Sequence, residues 1–356
     1  MVDSKRSFSV DDSLFRRDPP GSDADALFIP PKIQDTRLSN GLRILWAERL
    51  HMPIVAMQIV VDRGFELQNA PGIATLTASM MVTGTESRTA LVLSDELEAI
   101  GARHGAWADK DGMGVSGQIL QNRFPELLEI LADVARRPSF SAEELERERA
   151  KRLSILASER DVPDALLENA VEQALYPKDH PFHAPTLGDE ASIRAARVED
   201  LRQLHQLAFR PSQATVAIAG DIDPAVAIEQ IQKYLGDWTG NALPRETPPE
   251  PCKLTENDKR IVLLDSPGAS QSNVAVALVG IARKNPDYDA VMVLNTLFGG
   301  QFSSRLNMNL REKHAYSYGA YSLLAPRKWA GPWTAGGAIT TSFTAPAIRE
   351  IFIEID

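Results

Sequence analysis

The chain repeats itself, and the repeat restricts its fold more than any other feature. The apolar, largely β-branched run Pro53–Val61 (PIVAMQIVV) has a counterpart in Ser272–Val279 (SNVAVALV). Each is followed by a polar turn, a helical pattern (Gly72–Met81; Tyr288–Phe298), a glycine-containing loop and a second helix. A strand pair rich in glycine and aromatic residues comes next, Arg103–Leu120 in one half and Tyr316–Ile339 in the other. Phe124-Pro125-Glu126-Leu127-Leu128-Glu129-Ile130 then matches Ala345-Pro346-Ala347-Ile348-Arg349-Glu350-Ile351, so the offset stays near about 220 residues. Two copies of one α+β domain account for this pattern. The first spans residues 32–238 and the second residues 254–356, with a proline-rich connector over 239–253 and a polar leader over 1–31. By the same offset the second copy is expected to run on for roughly another 100 residues. The second domain is therefore expected to be incomplete at its C-terminal side.

Within the first copy, a long amphipathic helix is expected to open with a capping box at Ser141 and Glu144 and to continue through Leu145, Leu153 and Leu156. A further helix is expected over Val198–Phe209 and a buried strand over Ala214–Ala219. The formal net charge of −10 disfavours nucleic acid as a partner. No apolar run reaches the roughly 18 residues that a membrane span needs. Cys252 is the only cysteine, so no intrachain disulfide can form. Met1–Asp25 is polar with both charge signs and lacks the apolar core of a signal peptide. The compartment is not encoded: periplasmic if a signal peptide was removed, otherwise cytoplasmic.

Gly72–Thr85 reads GIATLTASMMVTGT, which by itself is a buried helix with Met80 and Met81 as core filler. It also resembles the metal-binding helix of peptidase family M16, the pitrilysin-like and mitochondrial-processing-peptidase-like metallopeptidases, roughly G-x-A-H-x-x-E-H-M-x-x-x-G-T. Thr75 and Ser79 stand at the two histidine positions and Ala78 at the glutamate. Two histidines four residues apart share a helical face and can hold one zinc, and the glutamate acts as general base on the bound water. The family's third ligand, a glutamate about 75 residues on in a helix ending I-L-E-E-I, falls on Ile155–Glu159 (ILASE). That puts Ala157 or Ser158 at the ligand position, with Glu159 displaced by one or two residues.

Four further segments carry the resemblance in the family's order. They are Leu38–Ile44 (LSNGLRI), Leu97–Ala102, the loop Tyr176-Pro177 to His180-Pro181-Phe182, and Ala219-Gly220-Asp221-Ile222. The resemblance implies two homologous α/β-sandwich domains of the M16/LuxS-like metallohydrolase type: a mixed, largely antiparallel sheet with helices on one face.

In the second copy, Asn295–Tyr318 reads NTLFGGQFSSRLNMNLREKHAYSY and resembles the family's C-terminal signature. The resemblance makes Arg311 and Tyr318 the residues that reach the substrate carbonyl, with Tyr316 as a competitor for the tyrosine role. A guanidinium and a phenol are fixed hydrogen-bond donors suited to an oxygen that gains charge in a tetrahedral transition state. The alternative is that Arg311 pairs with Glu312 or another acid and Tyr318 merely packs.

Candidate substrate contacts are Gly299 and Gly300, in a loop beside the cleft, and Ala106, Trp107 and Ala108, on a strand where an extended peptide could add. His104 begins that strand. His180 and His183 lack an acid or cysteine to complete a metal set.

The resemblance therefore implies a zinc-less subunit of a heterodimeric metallopeptidase, not a peptidase alone. It would bind no cofactor itself and would pair with an H-x-x-E-H subunit that carries the zinc. The substrate would be an oligopeptide or unfolded polypeptide. The alternative is a non-proteolytic structural or peptide-binding homologue of the respiratory core-protein kind.

Overall fold

Alternating aliphatic residues build the larger of two sheets. In the computed structural model, which describes residues 29–244 and 261–356, the first repeat holds β1 (Ile33–Arg37), β2 (Arg43–Glu48), β3 (Ile54–Val61), β4 (Arg103–Ala108), β5 (Met113–Leu120) and β6 (Ala214–Gly220). Their order is β1-β2-β6-β3-β5-β4, and only the β2–β6 pairing is parallel. Val55, Met57, Ile59 and Val61 of β3 point to one buried face with Ile44, Trp46, Val216 and Ile218, while Ala56 and Gln58 point to solvent. The sheet therefore needs cover on one face only.

Helices α1 (Ile73–Met81), α2 (Ala90–Ala99), α3 (Phe124–Arg136), α4 (Ala142–Glu159), α5 (Pro163–Leu175), α6 (Glu190–Ala195), α7 (Val198–Ala208) and α8 (Pro224–Leu235) belong to this half. Of these, α1 and α3 lie against the sheet, and α4 and α7 close over α1. The expected capping box at the start of α4 does not form. Ser141 is the N-cap, but its side chain makes no capping hydrogen bond.

The second repeat supplies β7 (Gln271–Val279), α9 (Tyr288–Asn295), the single turn α10 (Arg305–Asn307), β8 (Ser317–Leu324), β9 (Pro332–Thr340) and α11 (Thr344–Ile355). Its sheet runs β7-β9-β8, which reproduces β3-β5-β4. Thus β7, α9, β8, β9 and α11 repeat β3, α1, β4, β5 and α3. The helix expected over Tyr288–Phe298 stops as an α-helix at Asn295 and widens into a π-helical turn, Thr296–Gly300. A Cβ on Gly299 would lie 2.4 Å from the Ser322 amide nitrogen, so the turn rests directly on β8.

Ile33–Asp356 is one compact unit. The halves meet where α5 packs on β7 and β9, and where Leu175, Tyr176 and Phe182 bury Ala277, Val279 and Trp329. The start of the connector is pinned to the first half, because the buried Arg63 donates to the carbonyls of Leu243 (3.1 Å) and Pro244 (3.0 Å). The rest of the connector, Cys252 and most of the leader fall outside the described residues.

Candidate functional site

The face of α1 that the family uses for metal is buried and already satisfied. Gly72 and Gly188, both left-handed, let the 186–188 turn abut the start of α1: a Cβ on Gly72 would come within 2.6 Å of the Leu187 carbonyl. The Thr75 hydroxyl points at the carbonyls of Gly72 (3.1 Å) and Thr186 (3.0 Å), and the Ser79 hydroxyl donates to the Thr75 carbonyl (3.1 Å). Between them lies Arg152 of α4, 6% exposed, donating to the Thr75 oxygen (2.8 Å), the Ser79 oxygen (3.3 Å) and the Leu187 carbonyl (3.5 Å). Burial pulls the Arg152 pKa down, and Glu148 and Glu159 on its own helix work against that. An arginine nevertheless remains a cation. Ala78 is buried between the two hydroxyl positions.

Two hydroxyls, a methyl and a guanidinium do not form a zinc donor set. Nor do any three His, Cys, Asp or Glu side chains among the described residues come together as metal ligands. Ala157 is exposed; α4 turns Arg152 toward α1 instead. Sequence reasoning passed over Arg152. Its signal was position, seven residues after the buried Leu145 on the inward stripe of α4.

The second half gathers the other candidates. Arg311 lies in a π-helical turn, Met308–Lys313, and Ala315 in the left-handed region (φ 53°) redirects the chain into β8. The Arg311 guanidinium then sits 4.5 Å from the Phe302 ring centre and 5.2 Å from that of Tyr318. Its Nε is 3.3 Å from Glu312. Tyr318 is 86% exposed, and among the described residues its hydroxyl has no hydrogen-bond partner. Tyr316 instead stacks between His314 and Phe343 at 4.9 Å from each. A cavity of about 500 Å³ is lined by Arg311, Gly299, Gly300, Phe302, Tyr321 and, from the start of α5, Asp164. No residue of α1 lines it.

β4 is an edge strand of its sheet. Ala106 and Ala108 pack toward the core, while Trp107 lies across Gly114 of β5, where an added Cβ would be 3.0 Å from the indole. His104 is exposed at the strand's start. His180 and His183 serve a loop contact. The His180 Nδ1 accepts from the Phe182 amide (3.0 Å), and the His183 Nδ1 lies 2.9 Å from the Tyr176 carbonyl.

A buried ion pair next to this loop went undetected in the sequence, because its members lie 62 residues apart with no motif. Lys110 gives all three protons away, to Glu172 (2.6 Å) and to the carbonyls of Phe182 (2.9 Å) and Ala184 (2.7 Å). Burial lowers the pKa of Lys110 and raises that of Glu172, and each charge restores the other. The β8–β9 loop docks on this pair. Arg327 lies 3.7 Å from Glu172, and the Lys328 amide donates to Asp111 (2.7 Å) while its ammonium meets Glu66 (3.1 Å). Trp329 packs on Phe182, and the Tyr176 hydroxyl donates to the Ala330 carbonyl (2.8 Å).

Comparison with known proteins agrees with this architecture. Residues 44–189 match the family described as Insulinase (Peptidase family M16), and residues 195–356 match the Peptidase M16 inactive domain. An uncharacterized zinc protease of Mycobacterium bovis is 25% identical over 81% of this chain and 66% of its own length. A probable mitochondrial-processing peptidase subunit beta of Schizosaccharomyces pombe is 26% identical over 76% of this chain and 59% of its own length. The chain thus spans about two thirds or less of these relatives. Among solved structures, the peptidase M16 inactive domain from Pseudomonas fluorescens superposes with a TM-score of 0.81 at 26% identity, covering 91% of this chain and 79% of that one. A protease from Helicobacter pylori shares the fold, with a TM-score of 0.76 at 20% identity over 90% of this chain and 79% of that one. No helix among the described residues is long and apolar enough to cross a membrane. With both repeats matched in order and the fold reproduced, the chain belongs to peptidase family M16.

Proposed function

We propose that this chain is the zinc-less subunit of a heterodimeric M16 metallopeptidase that acts on oligopeptides or unfolded polypeptide. A partner with an intact H-x-x-E-H helix supplies the zinc, its water and the general base. This chain supplies Arg311 and Tyr318 as donors to the substrate carbonyl, the Gly299–Gly300 loop beside them, and β4 as an edge on which an extended peptide can add.

One observation carries this reading. Arg311 lines an open cavity of about 500 Å³ that α1 does not reach, with the Tyr318 ring centre 5.2 Å from its guanidinium, while α1 holds a guanidinium where a ligand set would be. Donors held ready beside a cavity that does not include their own chain's degenerate helix suit a metal supplied in trans. A guanidinium clamped between two rings also loses little freedom when it binds a carbonyl.

The test mixes the purified chain with an H-x-x-E-H homologue and follows zinc content and cleavage of a quenched peptide. Activity appears only in the mixture, and Arg311→Ala or Tyr318→Phe lowers kcat/KM by about 100-fold or more. Equal activity with and without this chain, or no effect of either substitution, refutes the proposal.

The Arg311–Glu312 ion pair favours the second reading, a non-proteolytic structural or peptide-binding homologue, because it engages the guanidinium within its own helix turn. A complex that assembles, binds peptide and stays inert would select that reading.

A further inference from the structure

We infer that Arg152 is an internal cation that has taken the structural place of a metal ion and closes the α1–α4 site to divalent cations. The inference rests on reading α1 as a metal helix without ligands, and it adds the residue that replaced the metal and what that residue does.

A metal held by two side chains of such a helix and a third from α4 would tie α1 to α4. Arg152 ties the same two helices, through Thr75 and Ser79 on α1, and adds the 186–188 turn through the Leu187 carbonyl. The two hydroxyls it bonds occupy the i and i+4 positions that would carry the histidines, so the guanidinium spans the two ligand positions. Its planar fork suits this, because two parallel N–H groups can meet two acceptors one helical turn apart.

The charge is buried with no carboxylate in ion-pair contact among the described residues. Its own-helix acids Glu148 and Glu159 act only from a distance. An unpaired buried cation is costly unless its donors find acceptors, and here hydroxyl and carbonyl oxygens take three of its five N–H groups. Those oxygens are in turn fixed: Thr75 and Ser79 each donate backward to a backbone carbonyl, which leaves their lone pairs facing the arginine. A divalent ion entering this space would meet a permanent positive charge and no imidazole or carboxylate. The core around α1 therefore needs no metal to hold its shape.

The experiment compares zinc content and thermal stability in five forms of the full chain. The unaltered chain carries no zinc and its Tm is unchanged by chelator. Arg152→Met lowers Tm by about 5–10 °C, and Arg152→Lys, which keeps the charge but reaches one hydroxyl only, falls between.

Installing Thr75→His with Ser79→His tests occlusion directly. With Arg152 retained the variant stays zinc-free; with Arg152→Glu added it takes up about one zinc per chain and its Tm becomes chelator-sensitive. The same zinc content in both backgrounds, full or nil, overturns the inference, as does an Arg152→Met chain as stable as the parent. Stoichiometric zinc in the unaltered chain would instead overturn the proposed zinc-less role. Failure of the mixed-subunit activity assay alone leaves the cation's place intact, so the two readings fail separately.

Discussion

Replacing Lys110 by methionine is expected to be the most damaging single change at the junction of the two halves. Lys110 is 1% exposed and Glu172 3% exposed, and the ammonium makes three short hydrogen bonds. Methionine fills much of the same volume, so packing loss is small. What remains is a buried carboxylate whose nearest cation, Arg327, stands 3.7 Å away, together with two carbonyls stripped of their donor. Breaking a buried pair from one side costs about 3–5 kcal/mol. In a unit of this size that lowers Tm by about 4–7 °C.

The companion variant Glu172→Met in the same chain removes the stranded charge. The double variant should recover about 2 kcal/mol or more relative to the sum of the single effects, leaving mainly the cost of the unpaired Phe182 and Ala184 carbonyls. Urea unfolding followed by circular dichroism supplies the cycle. Hydrogen exchange over residues 325–331 should rise in Lys110→Met, because that loop docks on the pair. A Lys110→Met cost below about 1 kcal/mol, or strictly additive singles, would refute the claim that this buried pair supports the docked β8–β9 loop.

Acid should destabilise the fold through two histidines. Burial lowers the pKa of His180 and of His205 to about 4, from an ordinary value of about 6.5. The neutral ring is the form the fold accepts, so this stability is fully present above about pH 6.5 and is lost as pH falls toward 4. By pH 4.5 each withdraws about 2–3 kcal/mol, read as a falling urea midpoint whose slope flattens in His205→Gln. Gly299→Ala should destabilise the second half by about 1–3 kcal/mol, because its Cβ would meet the β8 backbone at 2.4 Å; near-UV circular dichroism of Trp333 reports it, and an unchanged spectrum and Tm would contradict the close approach. Trp329→Ala empties the pocket formed by His180 and Phe182 and should cost about 3 kcal/mol, with protease cleavage between residues 325 and 331 as the readout.

The strands that repeat were legible because half their residues must be apolar. PIVAMQIVV and SNVAVALV become β3 and β7, each paired with a glycine-bearing neighbour as the offset requires. β1 was not legible, since all five of its residues are exposed and it holds its place through backbone pairing to β2. The end of α9 was misread for a different reason. A helical pattern through Phe298 is compatible with periodicity, but Gly299 must touch β8, and the chain widens into a π turn that brings it there. The aromatic pattern also left the two tyrosines equivalent. Only the left-handed turn at Ala315 sets Tyr318 beside Arg311 and sends Tyr316 into a ring stack.

The degenerate helix marks the limit of such reading. Sequence records a loss directly: Thr75, Ala78 and Ser79 carry no metal ligand, and this follows from residue chemistry alone. Sequence does not record what fills the space, because the filling residue is chosen by geometry across 77 positions of intervening chain. A ligand motif has fixed spacing because one ion must bind several groups at about 2 Å. A guanidinium on a long stem bonds at about 2.9 Å and tolerates a range of backbone positions, so it obeys no spacing rule. The replacement of a metal by an arginine is therefore invisible to motif matching. Its trace in the sequence is a single charged residue on an inward stripe, where the cost of burying an unpaired charge already implies that something polar must wait to receive it.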